Sequence, residues 1–100
     1  MEVLPGKEAA YEASHNEGFW PEMAECLATH GAHNYSISLN PETRQLFGFV
    51  EIESEELWAK IATTETCQKW WKYMTEFIRF GADGRPFSQP LKEVFFFKGN

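Results

Sequence analysis

The chain predicts an α+β fold of the ferredoxin-like kind, one antiparallel sheet built in the order β-α-β-β-α-β with helices on one face. Three observations predict it. Two strand-like segments sit mid-chain, at residues 34–39 and 45–52; helix-forming stretches flank that pair on both sides; and short apolar runs, residues 1–4 and 91–97, close the two ends. Strand residues that are apolar on both faces leave one sheet face uncovered in a single copy. A face-to-face homodimer of the dimeric α/β-barrel type would cover it.

Residues 1–4 read as the tail of a strand stopped by Pro5-Gly6, and residues 7 to about 16 are Ala-rich and helix-forming. Pro21 suits the first turn of a second helix, about 21 to 30, which buries Met23, Cys26 and Leu27 and ends at His30-Gly31 with glycine in the left-handed position. Residues 34–39 alternate strictly, placing Tyr35, Ile37 and Leu39 on one face and Ser36 and Ser38 on the other. A polar turn around residues 40–43 leads into 45–52, apolar on both faces and hence the more central strand of the hairpin. Ser54, followed by Glu55 and Glu56, caps a helix through about Ala62, and a further helix starts at about Thr64. On that helix Cys67, Met74 and Ile78 mark the centre of the apolar stripe, with Trp70 and Trp71 on opposite margins. Residues 81–90 are loop by composition, and 91–97 form the closing strand.

One hundred residues, 43% hydrophobic and 16% aromatic, suffice for a single domain, residues 1–100, with one core. Nine Phe and four Trp exceed what so small an interior hides, which again favours association with a second copy. The net charge of −6, with nine Lys and Arg scattered singly, gives no stripe to neutralise phosphates, so nucleic acid and anionic membranes are poor partners. Residues 1–5 show no basic leader, and no stretch approaches the ~18 apolar residues of a membrane span. A cytoplasmic protein is expected. Cys26 and Cys67 both fall on apolar helix stripes, where a free thiol behaves as a small hydrophobe.

Tyr11 and His15 are one helical turn apart, on one face, and can address one ligand. Histidine alone among side chains gives and takes a proton near neutral pH without help. Cys26, His30 and His33 have the look of a metal cluster, yet Gly31 interrupts the helix between the histidines, and capping or hydrogen bonding is the better account. Glu51 and Glu53 share a strand face, an arrangement more often solvent-facing than catalytic. There is no phosphate-binding glycine loop and no serine or cysteine nucleophile motif. Indoles suit the apolar face of a sugar ring, although on spacing alone residues placed like Trp70, Trp71 and Tyr35 are more often core than binding site.

Taken together, His15-Asn16, Trp20-Pro21-Glu22, residues 30–37 (HGAHNYSI), residues 49–58 (FVEIESEELW) and residues 67–74 (CQKWWKYM) resemble the L-rhamnose mutarotase family, in fixed order and almost continuously from residue 1 to Phe97. The resemblance implies a cytoplasmic homodimer of ferredoxin-like subunits that interconverts the α and β pyranose anomers of L-rhamnose without metal or cofactor. It implies that His15 is the proton donor and that Tyr11, Tyr35, Trp70 and Trp71 contact the sugar. The partner of His15 in proton transfer stays open between Glu12 and a water. The chain departs from the family pattern in three places: a first strand shortened to Met1-Glu2-Val3, from a missed upstream start or a weaker sheet edge; Ala13-Ser14 where basic residues are usual; and one extra residue in Glu17-Gly18-Phe19. Two other readings remain: a sugar-binding dimer without catalysis, and a small dimeric monooxygenase of the same fold class.

Overall fold

Residues 1–99 are described by a computed structural model of the chain. The elements run α1 (Glu8–His15), α2 (Pro21–Thr29), β1 (Ala32–Leu39), β2 (Leu46–Ile52), α3 (Glu55–Ala59), a 3-10 turn (Lys60–Thr63) and α4 (Glu65–Met74), an α+β protein.

Local chemistry explains most of the boundaries. Gly6, at φ 78°, turns the chain out of the N-terminal segment, and the amide of Lys7 donates to Leu4 O at 3.0 Å just before α1. Pro21 opens α2 after an extended Trp20, where its missing N–H costs nothing. Gly31 ends that helix at φ 82°, and a Cβ there would lie 3.2 Å from Glu53 Cβ and 3.3 Å from Leu57 Cδ2. Glycine is required twice over, for the left-handed turn and for the close approach. Ser54 Oγ accepts from Leu57 N at 3.1 Å to cap α3, and Thr64 Oγ1 accepts from Cys67 N at 3.2 Å to cap α4.

β1 and β2 pair antiparallel, from Ala32 opposite Ile52 to Leu39 opposite Leu46, with an irregularity between His33 and Ser36 where Asn34 adopts φ 42°. The strand starts two residues earlier than the alternation predicts. β2 is the more central of the two, because its entry also pairs with the N-terminus: Leu46 N donates to Met1 O at 2.7 Å and Val3 N to Arg44 O at 2.9 Å. On its other side the N-terminal segment bonds to the chain beyond α4, with Leu4 N on Phe77 O at 2.8 Å and Arg79 N on Glu2 O at 2.9 Å. Val3, between the two, is fully buried.

Two expectations are corrected. The helix from Ser54 ends at Ala59 and tightens into the 3-10 turn, because Thr63 and Thr64 hydroxyls donate to Lys60 O and Ile61 O at 2.7 Å each and compete with helical amides. Residues 91–97 form no strand. A strand exists only where its backbone meets another, and in one copy the place beside the N-terminal segment is held by residues 77–80, through a bridge between Val3 and Ile78.

The core gathers Val3, Tyr11, Met23, Cys26, Leu46, Ile61, Cys67, Trp70, Met74, Phe77 and Ile78, so every element except α3 and β1 contributes a buried side chain. Both cysteines are buried free thiols. Among the described residues no helix is long and apolar enough to cross a membrane. Met74 is 2% exposed, so Met74→Ala is expected to cost about 2–5 kcal/mol, read as a lower urea midpoint at unchanged slope.

Candidate active site

α1 places Tyr11 and His15 on one face, with ring centroids 4.2 Å apart. The imidazole is held on its other sides by Phe19, near-parallel at 5.9 Å, and by the edge of Trp70 at 5.3 Å. Its Nδ1 lies 3.0 Å from Tyr11 O and 3.0 Å from Ser14 Oγ, while that hydroxyl donates to Tyr11 O at 2.7 Å. Half-burial among aromatic rings lowers the His15 pKa below the ordinary histidine value, and the Tyr11 carbonyl offsets part of that. The group is therefore neutral at pH 7, able to accept a proton.

His15 faces a cavity of about 1630 Å³ whose lining includes Tyr11, Tyr35, Trp70 and Trp71. All five predicted site residues thus meet at one place. Tyr35 reaches it because it shares a face with Ile37 and Leu39, which also line the cavity. Burial raises the Tyr11 pKa far above the ordinary tyrosine value, with Tyr35 nearby adding to the rise, and the partial desolvation of Tyr35, which keeps 41% of its surface exposed, together with the Cys67 thiol raises that phenol. Both phenols stay protonated and can donate hydrogen bonds to ligand oxygens. The Cys67 thiol, pushed up to about 11 mainly by burial, is inert as a nucleophile.

The two tryptophans divide as their helix margins suggest. Trp70 is 6% exposed and forms the floor, edge-on to Phe19 at 5.1 Å and Trp20 at 4.9 Å as well as to His15. Trp71 is half-buried, with the Arg85 guanidinium 6.0 Å from its ring. Core and cavity wall are the same residues here, since an indole can bury one edge and present another.

The remaining candidates lie elsewhere. His30 Nδ1 donates to Cys26 O at 2.7 Å, closing the end of α2, and His33 Nε2 pairs with Glu53 Oε1 at 2.9 Å on the surface. Glu51 Oε2 accepts from Asn34 Nδ2 at 3.3 Å. Among the described residues no group of three His, Cys, Asp or Glu could hold a metal ion. Glu12 is exposed and makes no hydrogen bond to His15. Phe19 and Ser14, neither of them an expected site residue, also touch the imidazole. Ser14 could have been found from its spacing, three residues after Tyr11 and adjacent to His15.

Because the folded protein holds His15 neutral more firmly than the unfolded chain does, the unfolded state binds more protons as pH falls below about 6.5. Stability from this residue is therefore present above that pH and declines through the window down to its lower folded pKa. In NMR titration the His15 ring protons are expected to shift at lower pH than those of a free histidine, and His15→Ala is expected to flatten the fall in stability over that window.

A model of the L-rhamnose mutarotase family matches residues 1–97. The L-rhamnose mutarotase of Tolumonas auensis is 51% identical over 96 residues, 96% of this chain and 91% of that protein. That of Oceanobacillus iheyensis is 53% identical over 95 residues, 95% and 90%. The crystal structure of an L-rhamnose mutarotase from Formosa agariphila superposes with a TM-score of 0.86 at 33% identity, covering 98% of this chain and 93% of that one. A match that is nearly end to end, around one cavity where a neutral histidine, two phenols and two indoles converge, places the chain in the L-rhamnose mutarotase family.

Proposed function

We propose that the protein is an isomerase that interconverts the α and β pyranose anomers of L-rhamnose, with His15 as the acid–base catalytic residue and Tyr11, Tyr35, Trp70 and Trp71 as the sugar-binding set. The observation that carries the reading is the half-buried neutral imidazole facing the cavity beside two protonated phenols.

Mutarotation moves protons and breaks one bond. The anomeric O1 loses its proton to a base, C1 becomes a carbonyl carbon, and the C1–O5 bond breaks with its electron pair going to O5, which takes a proton. Rotation about C1–C2 and the reverse steps close the ring on the other face. His15 accepts the first proton and supplies the second, so no redox step and no covalent bond between enzyme and sugar is needed. The phenols hold sugar hydroxyls as donors, while the indole faces cover the methyl group and the C–H face of the ring. The reaction also runs slowly in water, so a positioned acid–base group worth on the order of 10² to 10⁴ in rate, or ~3–5 kcal/mol, is sufficient.

The assembly is a homodimer of single ferredoxin-like domains, residues 1–100, working in the cytoplasm without nucleic acid or membrane partners. Single antiparallel bridges, Val3–Ile78 and Glu2–Gln45, put residues 77–80 and 1–4 beside the entry to β2, an arrangement that supports the ferredoxin-like reading. The cavity exceeds the ~300–1,000 Å³ usual for a small-molecule site, and its wall includes exposed Phe47 and Phe49 of β2. A second copy would fill the excess. Leu91, Val94, Phe95, Phe96 and Phe97 are 73–87% exposed, and each could contribute ~1.5–3 kcal/mol if buried against a partner.

In magnetisation-transfer NMR the protein is expected to speed exchange between the anomer signals of L-rhamnose, and His15→Ala to lose that acceleration by about 10²-fold or more. Acceleration absent with the wild-type protein overturns the activity. If rhamnose shifts tryptophan fluorescence without faster exchange, the protein is a sugar-binding dimer instead. Light scattering is expected to give twice the 11.6 kDa chain mass, and Phe96→Asp to lower it towards one chain. A monomeric wild-type protein overturns the dimer.

A further inference from the structure

The geometry points to the Tyr11 carbonyl as the group that selects the His15 tautomer protonated at Nδ1, with Ser14 as a positioning residue that holds carbonyl and ring together, leaving Nε2 as the nitrogen that takes and returns the proton. The inference rests on the reading of His15 as the acid–base group and specifies which atom does the work.

Three polar atoms form a closed triangle: Ser14 Oγ to Tyr11 O at 2.7 Å, Ser14 Oγ to His15 Nδ1 at 3.0 Å, and His15 Nδ1 to Tyr11 O at 3.0 Å. A carbonyl oxygen only accepts. Its contact with the hydroxyl therefore needs the Ser14 proton, and its contact with the ring needs a proton on Nδ1. With the hydroxyl proton on the carbonyl, the free Ser14 lone pair faces the same Nδ1–H, and all three edges are attractive. The opposite tautomer turns the Nδ1 lone pair towards the carbonyl and leaves that edge repulsive. Ser14 is 4% exposed, so water does not compete, and a buried polar group without its partner is costly. Among the described residues Nε2 makes no hydrogen bond to the protein.

The same triangle also fits the imidazolium, which carries a proton on both nitrogens. Proton uptake at Nε2 therefore changes nothing at Nδ1, and the ring need not turn between accepting the O1 proton and delivering it to O5. These two oxygens share one carbon, so one fixed nitrogen can serve both. His15 enters the reaction as a base, with ring opening beginning at O1.

The test is ¹⁵N NMR of histidine-labelled protein at a pH above the His15 titration, together with exchange kinetics on L-rhamnose. In the wild type, the His15 Nδ1 signal is expected to be that of a protonated nitrogen and the Nε2 signal that of an unprotonated one. Ser14→Ala, which deletes one oxygen and suits a helix, is expected to keep the Nδ1-protonated tautomer, which the Tyr11 carbonyl still selects, but to loosen the ring and lower kcat about 3- to 10-fold with KM little changed, the scale of one lost neutral hydrogen bond. Ser14→Thr keeps the hydroxyl and is expected to restore kcat. Nε2 protonated in the wild type overturns the tautomer assignment, and a Ser14→Ala protein with unchanged kcat overturns the role of Ser14. Wild-type protein with the expected tautomer but no acceleration overturns the mutarotase reading alone, so the two failures are distinguishable.

Discussion

The N-terminal segment, clamped between two parts of the chain more than thirty residues apart in sequence, is the constraint on which the rest of the molecule depends. Val3 N bonds Arg44 O on one side, and Leu4 N and Arg79 N tie the segment to the chain beyond α4 on the other. The Val3 side chain is fully buried between them. A few backbone bonds and one buried valine join the hairpin to the chain beyond α4. They also fix the point from which α1 departs, and hence where His15 sits over Trp70.

The core and the site are built from shared side chains. Trp70 meets Phe19, Trp20 and Tyr73 as a packing residue and meets His15 as the edge of the cavity. Interiors are close-packed, so a ring held on several sides has one orientation. The imidazole inherits that rigidity, and its low proton affinity comes from the same apolar neighbours. Packing and the proton affinity of His15 are thus coupled at α1 and α4, whereas the surface pair His33–Glu53 is solvated and adds little to stability.

Much of the fold was legible in the residues. The Pro21 start and Gly31 stop of α2, the Ser54 and Thr64 caps, and the common face of Tyr35, Ile37 and Leu39 are local matters of missing donors, positive φ and strand alternation. The pairing of Tyr11 with His15 was legible for the same reason, since helical spacing alone sets it. The 3-10 turn at Lys60–Thr63 was missed because hydroxyl competition for backbone carbonyls depends on rotamers, which spacing does not reveal. Residues 91–97 have strand-like composition, yet composition cannot say whether a neighbouring strand lies within the same chain.

The sequence by itself determined most of the element types, the acidic net charge and, through ordered blocks of residues, the family and its candidate site residues. These depend on interactions spanning a few positions or on the order of residues along the chain. Only the tertiary structure decided that Trp70 is floor and Trp71 half open, that Ser14 closes a triangle with Tyr11 O and His15 Nδ1, and that the segment beyond α4 takes the place beside residues 1–4. Each of those depends on which surfaces meet at atomic distance, and burial and hydrogen-bond geometry arise only when segments far apart in sequence pack together.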